Sequence, residues 1–196
     1  MVKAIQIISD TQLWNNFLSG DNEAYKIIYN THIQPLFKFG LHFTRDEALV
    51  QDCIQDLFID LHKYRSGLKK TNNIKLYLFI SLKRKIIRSL GKEEKFAQLN
   101  SEDIPFNYSL LIDEEYDDEL RNQKFELLEK AMGELSNRQR EAIYLRFVSE
   151  LSYEELSDVL QLNYQSARNL IYRGIEKLRE SCQKKSLIFL CSFLKR

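Results

Sequence analysis

Four times along this chain a Ser or Thr is followed three residues later by a Glu or Gln: Ser9/Gln12, Thr44/Glu47, Ser136/Gln139 and Ser152/Glu155. In a capping box the hydroxyl oxygen accepts a backbone N–H three residues on, while the Glu or Gln side chain reaches back to the first N–H. Each pair precedes apolar residues at helical spacing, so four helix starts coincide with four amphipathic stretches. Asp21 after Gly20 marks a further restart, and Asn73 is placed to cap a helix beginning at Ile74. No run alternates convincingly with period two, and six Gly with two Pro leave little turn material for a β fold. The expected fold class is all-α.

The spacing predicts helices near Thr11–Leu18, Asn22–Phe43 (bent or interrupted around Pro35), Arg45–Tyr64 and Ile74–Leu90. A second set is predicted near Glu119–Gly133, Asn137–Phe147, Tyr153–Leu160 and Tyr164–Cys182. Between the sets periodicity fails, and the segment holds Pro105 and the acidic cluster DEEYDDE. This divides the 196 residues into two small helical domains, 1–92 and 119–183, an acidic flexible linker, 93–118, and a short apolar tail, 184–196. Charge follows the same division. Residues 1–95 carry a net +5, residues 96–120 carry 8 acids and no base, and residues 121–196 carry a net +4, so the formal +1 conceals two basic blocks joined by an acidic strap.

Several function classes find no support. His32, His42 and His62 share no metal spacing, and neither a Gly-rich phosphate loop nor a nucleophile motif appears, so no enzymatic activity and no cofactor are expected. The apolar run Leu187–Leu194 is too short to span a bilayer, and MVKAIQIISD lacks the long apolar run of a signal peptide. No stable membrane insertion is expected. Cys53, Cys182 and Cys191 make an odd count without metal spacing, which suits a reducing cytoplasm.

The stretch LSYEELSDVLQLNYQSARNLIYRGIEKLRE, from Leu151 to Glu180, reads as a short helix, the turn Gln161-Leu162-Asn163, and a longer helix that Asn163 can cap. That is helix-turn-helix spacing. On the longer helix Ala167, Ile171, Gly174, Ile175 and Leu178 line one face, and Gln165, Ser166, Arg168, Asn169, Tyr172 and Arg173 occupy the rest. A packed hairpin with a solvated face has the same spacing. Residue type favours DNA: these are hydrogen-bonding and cationic groups, and no acid that would repel phosphate appears before Glu176.

With the preceding LSNRQREAIYLRFVSE, this stretch resembles the C-terminal DNA-binding domain of the sigma-70 family of initiation factors, in which the second helix enters the major groove of the upstream promoter element. The resemblance implies upstream-element contacts for Asn163, Gln165, Ser166, Arg168, Asn169, Tyr172 and Arg173. Two positions depart from the family pattern. Gln161 stands where Gly is usual, and Leu170 where a basic residue is often found.

The N-terminal block carries the same resemblance through different residues. VQDCIQDLFIDLH, from Val50 to His62, is similar to the family segment that grips the clamp helices of RNA polymerase. Its implied polymerase-binding residues are Asp52, Gln55, Asp56 and Ile59, with Leu57, Phe58 and Leu61 pointing elsewhere. NNIKLYLFISLKRKIIRSLGKEEK, from Asn72 to Lys95, crowds Lys83, Arg84, Lys85 and Arg88 onto a helix with Tyr77 and Phe79. Cations supply phosphate affinity, and rings can stack on exposed bases. By side-chain type Phe79 reads as core, and Tyr77 reads equally as core or as a base contact. This stretch resembles the family helix that opens and holds the downstream promoter element, which implies contacts from Asn72, Asn73, Tyr77, Lys83, Arg84 and Arg88. Tyr77 sits where Trp is common and Arg84 where Asn is common. The loop from Ser66 to Asn73 matches the loop that captures a flipped base.

The resemblance spans Leu13 to Arg179 without a third domain, as in the extracytoplasmic-function group, and IKLYLF…LKRKIIR looks like its Bacteroidetes branch. It implies a cytoplasmic alternative sigma factor whose partners are core RNA polymerase, promoter DNA and an anti-sigma factor. The competing expectation is a helix-turn-helix regulator that binds duplex DNA as a dimer without polymerase.

Overall fold

In the computed structural model the described residues are 8–91, 104–107 and 130–181, and among them every regular element is helical. Two compact units emerge, Met1–Gly40 with Asp46–Ile86, and Leu41–Arg45 with Ile87–Arg196.

The first unit is built on α1 (Asp10–Leu18), α2 (Asn22–Leu41), α3 (Glu47–Tyr64) and α4 (Ile74–Leu90), with a 3-10 turn at Arg65–Gly67 after α3. Ser9 caps α1 by accepting from the Gln12 N–H at 3.3 Å. Asp21 accepts from the N–H groups of Glu23 and Ala24 at the start of α2. The predicted start of α3 needs correction. Its cap is Asp46, whose Oδ1 accepts from the Leu49 N–H at 3.0 Å, not Thr44. A carboxylate also answers the positive end of the helix, which a hydroxyl does not. Pro35 is absorbed inside α2, which ends at Leu41 and not at Phe43.

Trp14, Phe17, Ile28, Leu36, Phe39, Val50, Ile54, Leu57, Phe58, Ile74, Leu78, Phe79, Leu82 and Ile86 are buried. Phe39 and Phe79 stack with ring centres 4.6 Å apart, so Phe79 is core as expected. Gly40 lets α2 approach α3 closely. A Cβ there would lie 2.5 Å from Val50 Cγ1.

In the second unit α5 (Asn137–Ile143) runs into a π-helical turn, Tyr144–Val148, and is followed by α6 (Tyr153–Leu160) and α7 (Tyr164–Ser181). A short helical stretch at 130–133 precedes α5. It is the described end of the helix predicted from Glu119. The Ser136/Gln139 and Ser152/Glu155 capping boxes are both complete. The helix predicted over Asn137–Phe147 widens at Tyr144, where the Ser149 N–H reaches the Tyr144 carbonyl at 3.0 Å. Glu150 then takes a positive φ of 57° to turn the chain toward α6. Arg146 steadies this corner by donating to the Leu151 carbonyl at 2.7 Å.

Within the predicted linker, residues 104–107 form a packed anchor. Phe106 is buried and lies flat on His42, with ring centres 4.6 Å apart and planes 16° from parallel. The Asn107 N–H donates to the His42 carbonyl at 2.6 Å, and the His42 Nδ1 meets the Asn107 carbonyl. Tyr144 closes the cluster edge-on to His42 at 4.3 Å. The acidic cluster Asp113 to Glu119 and the tail 184–196 lie outside the described residues.

Candidate nucleic-acid and protein interfaces

In the helix-turn-helix, α7 packs against α5 and α6. Ala167, Ile171 and Leu178 are buried along its inner face, and a Cβ at Gly174 would come within 3.0 Å of Ile143 Cδ1. Gln161 ends α6 in the left-handed region at φ 54°, ψ 46°, the conformation that Gly adopts freely. Asn163 then caps α7 by accepting from the Ser166 N–H at 2.7 Å. The sequence-predicted set stands on the opposite face: Asn163, Gln165, Arg168, Asn169, Tyr172 and Arg173 are exposed, and Ser166 is half-exposed. Tyr172 is 63% exposed, far more than packing would leave a ring of that size. Gln165 Nε2 donates to Asn169 Oδ1 at 3.2 Å, and Arg168 lies over the Tyr164 ring at 5.8 Å. The result is an acid-free surface of amides, hydroxyls and guanidinium groups on a helix whose N-terminus is open to a ligand.

On the first unit, Arg84 and Arg88 of α4 are exposed and Lys83 is half-buried. Lys85 is engaged elsewhere, with its Nζ 2.6 Å from Asp60 Oδ2 of α3. Asn72 is exposed, whereas Asn73 spends its side-chain oxygen on the Leu76 N–H at 2.8 Å. Tyr77 is half-buried, its ring centre 5.1 Å from that of Trp14, so one part packs and another reaches solvent. The downstream set therefore does not act uniformly: Asn72, Arg84 and Arg88 are open, Tyr77 is held from behind, and Asn73 caps α4.

A third surface lies on α3. Asp52, Gln55, Asp56 and Ile59 share its exposed side, with Ile59 52% exposed, while Leu57, Phe58 and Leu61 are buried. Gln55 and Ile59 also border a groove of about 530 Å³ between α2 and α3, whose other wall is Tyr25, Tyr29, Ile33 and Phe37. Sequence reasoning missed that wall, although its signal was present. An apolar or aromatic residue recurs every fourth position from Tyr25 to Phe37 on α2. The Tyr25 hydroxyl donates to the Phe58 carbonyl at 3.0 Å and fixes the groove floor, and burial pushes the Tyr25 phenol up from its ordinary range.

Comparison with known proteins agrees with the two-part layout. Residues 28–96 match the family described as Sigma-70 region 2, and residues 125–178 match Sigma-70, region 4. The ECF RNA polymerase sigma factor SigM of Bacillus subtilis is 24% identical over 157 residues, which cover 78% of this chain and 91% of that protein. Among solved structures, CnrH in complex with the cytosolic domain of CnrY aligns with a TM-score of 0.59 at 20% identity, covering 87% of this chain and 95% of that one. The sigma factor RpoE in complex with the anti-sigma factor NepR, from Bartonella quintana, aligns with a TM-score of 0.59 at 21% identity over 81% and 96% of the two chains. With region 2 and region 4 matched in this order over most of the residues described, the chain belongs to the sigma-70 family, in its extracytoplasmic-function group.

Proposed function

We propose that this chain is an alternative sigma factor that binds core RNA polymerase and directs it to a promoter, with three surfaces dividing the work. The observation that carries the reading is that one chain holds both an exposed acidic and apolar face on α3 and an acid-free recognition face on α7. A regulator that bound duplex DNA alone would have a use for α7 and none for α3.

In this reading Asp52, Gln55, Asp56 and Ile59 meet the polymerase clamp. Arg168 and Arg173 hold upstream phosphates, while Gln165, Ser166, Asn169 and Tyr172 face base edges. Asn163 contributes through its place at the helix start. Asn72, Tyr77, Lys83, Arg84 and Arg88 contact the downstream element as it opens, and Asn73 supports them by holding the start of α4. The chemistry of RNA synthesis belongs to the polymerase. The domain limits 1–92 and 119–183, with the acidic 93–118 between them, are part of the same proposal, as are a cytoplasmic location and a place in the Bacteroidetes branch. None of the described helices is long and apolar enough to cross a membrane. An anti-sigma partner is proposed from the two aligned complexes, each of which holds a sigma factor with such a partner or a cytosolic domain.

The test is run-off transcription with purified core polymerase on DNA from upstream of the chain's own gene. Addition of the chain should yield a discrete transcript. Replacing Asp52 and Asp56 together with Lys should abolish both the transcript and capture of core enzyme, with the helical content unchanged. Undiminished capture would remove α3 from the polymerase interface.

A further inference from the structure

Loop 68–73 joins the turn after α3 to the start of α4, and α1 holds it at both ends. Near its beginning, the Trp14 indole N–H donates to the Lys69 carbonyl at 3.0 Å. At its far end, Asp10 Oδ2 accepts from the Ile74 N–H at 2.9 Å. Between these points the loop braces itself, since the Thr71 hydroxyl accepts from the Asn73 N–H and donates to the Asn73 carbonyl, both at 3.1 Å. The side chains of Lys69, Lys70 and Asn72 stand exposed.

The two α1 residues are placed to do little else. Trp14 is fully buried, packs against Phe17 and Tyr77 at about 5 Å between ring centres, and points its polar atom at the loop. Asp10 lies across 64 residues of sequence from the N–H it caps, and it adds a negative charge at the positive end of α4. A buried indole N–H could have met any nearby carbonyl. That it and the carboxylate bracket one short loop gives α1 a defined mechanical relation to that loop.

We propose that Trp14 and Asp10 are positioning residues for single-strand recognition: they fix the separation of Lys69 and Ile74, and with it the direction in which Lys69, Lys70 and Asn72 meet an unstacked base and its phosphates. Neither residue touches DNA or polymerase. The inference rests on the reading of this loop as the downstream-element contact and adds a device outside the loop that shapes it.

The test uses the full chain bound to core polymerase and two probes, a single-stranded oligonucleotide of the non-template downstream element and a duplex of the upstream element. Trp14→Phe keeps the ring packing but leaves the Lys69 carbonyl unpaired. Asp10→Ala removes the cap, while Asp10→Asn retains an oxygen acceptor there. Trp14→Phe and Asp10→Ala should each weaken single-strand binding by about five- to tenfold. Duplex binding and polymerase capture should stay unchanged, and Asp10→Asn should bind as wild type does. Amide exchange at Ile74 should quicken in Asp10→Ala and not in Asp10→Asn. Unchanged single-strand affinity in both weakened variants would overturn the inference, as would equal loss of all three binding activities. If Trp14→Phe fails to fold, the two Asp10 variants decide alone. A wild-type complex that does not bind the single strand overturns the loop reading and this inference with it. Normal wild-type binding with insensitive variants overturns the inference only.

Discussion

The guanidinium of Arg138 donates through Nη2 to the carbonyl oxygen of Leu160, 2.7 Å away, at the point where α6 stops. The next residue, Gln161, carries the left-handed turn. One charged side chain from α5 thus satisfies a terminal carbonyl beside the strained position of the helix-turn-helix.

Arg138→Met should keep the aliphatic stem and lose the hydrogen bond, lowering stability by about 1–2 kcal/mol. Gln161→Gly should raise it by roughly 0.5–1 kcal/mol, because Gly enters the left-handed region without a Cβ clash and offsets part of that gain through its freer unfolded chain. Urea unfolding measures both. Upstream-duplex affinity should move in the same direction with an unaltered salt slope, because neither change removes a phosphate contact.

Arg168→Ala and Arg173→Ala should behave differently. Both side chains are exposed, so the fold should survive while promoter binding weakens. Each lost phosphate contact should lower the slope of log affinity against log salt by about 0.9. Filter binding at several salt concentrations tests this. A slope equal to that of wild type would assign the guanidinium to the folded protein and not to DNA.

His42 makes the second unit sensitive to acid. Burial among rings holds its imidazole down to about 4, against the opposing pull of the Asn107 carbonyl. The neutral ring, with its proton on Nδ1, donates to that carbonyl. The folded value lies below the ordinary 6.5, so the unfolded chain binds the extra proton first, and stability falls as pH drops from about 6.5 toward 4. The full contribution is of order 3 kcal/mol. His42→Phe keeps a stacked ring and cannot titrate. The difference between wild type and variant in unfolding free energy should therefore shrink with acidification over that window, and a constant difference would count against the assignment.

Gly40→Ala should destabilise the first unit by about 1–2 kcal/mol despite the better helix propensity of Ala. The new methyl would collide with the branched Val50 side chain, which has little room to rotate, and press on Ile86 Cδ1 at 3.2 Å. Adding Val50→Ala should recover part of the loss. Thermal unfolding of both single variants and the double variant gives the coupling.

Much of this architecture is legible in the residues because helix ends write themselves locally. Ser9, Ser136, Ser152 and Asn163 each cap the helix that their spacing announces. Thr44 failed as a cap because Asp46, two residues on, offers a charged acceptor to the same helix end. The exposed face of α7 was legible because its inner face is defined by small and branched apolar residues at helical spacing. The tie between Asp10 and Ile74, the packing of Trp14 on Tyr77 and the diversion of Lys85 to Asp60 were not legible. These are contacts between distant segments, and neither periodicity nor residue type contains the pairing. The Phe106 anchor was hidden for a related reason: an acidic neighbourhood masks one aromatic residue that finds its partners in a far corner of the chain.

The π-helical turn at Tyr144–Val148 has a consequence for how this protein tolerates change in length. A π turn holds one more residue than the α-helical turn it replaces, so it acts as a vernier between α5 and α6. Removing a single residue there would let the helix relax to ordinary winding and swing everything that follows by about 100°, carrying Leu151 out of its buried seat and Ser152 away from its cap. Substitutions in this stretch alter a side chain, whereas a one-residue deletion alters the phase of the recognition helix. The number of residues between Ile143 and Leu151 is therefore as much a part of DNA reading as the residues on α7.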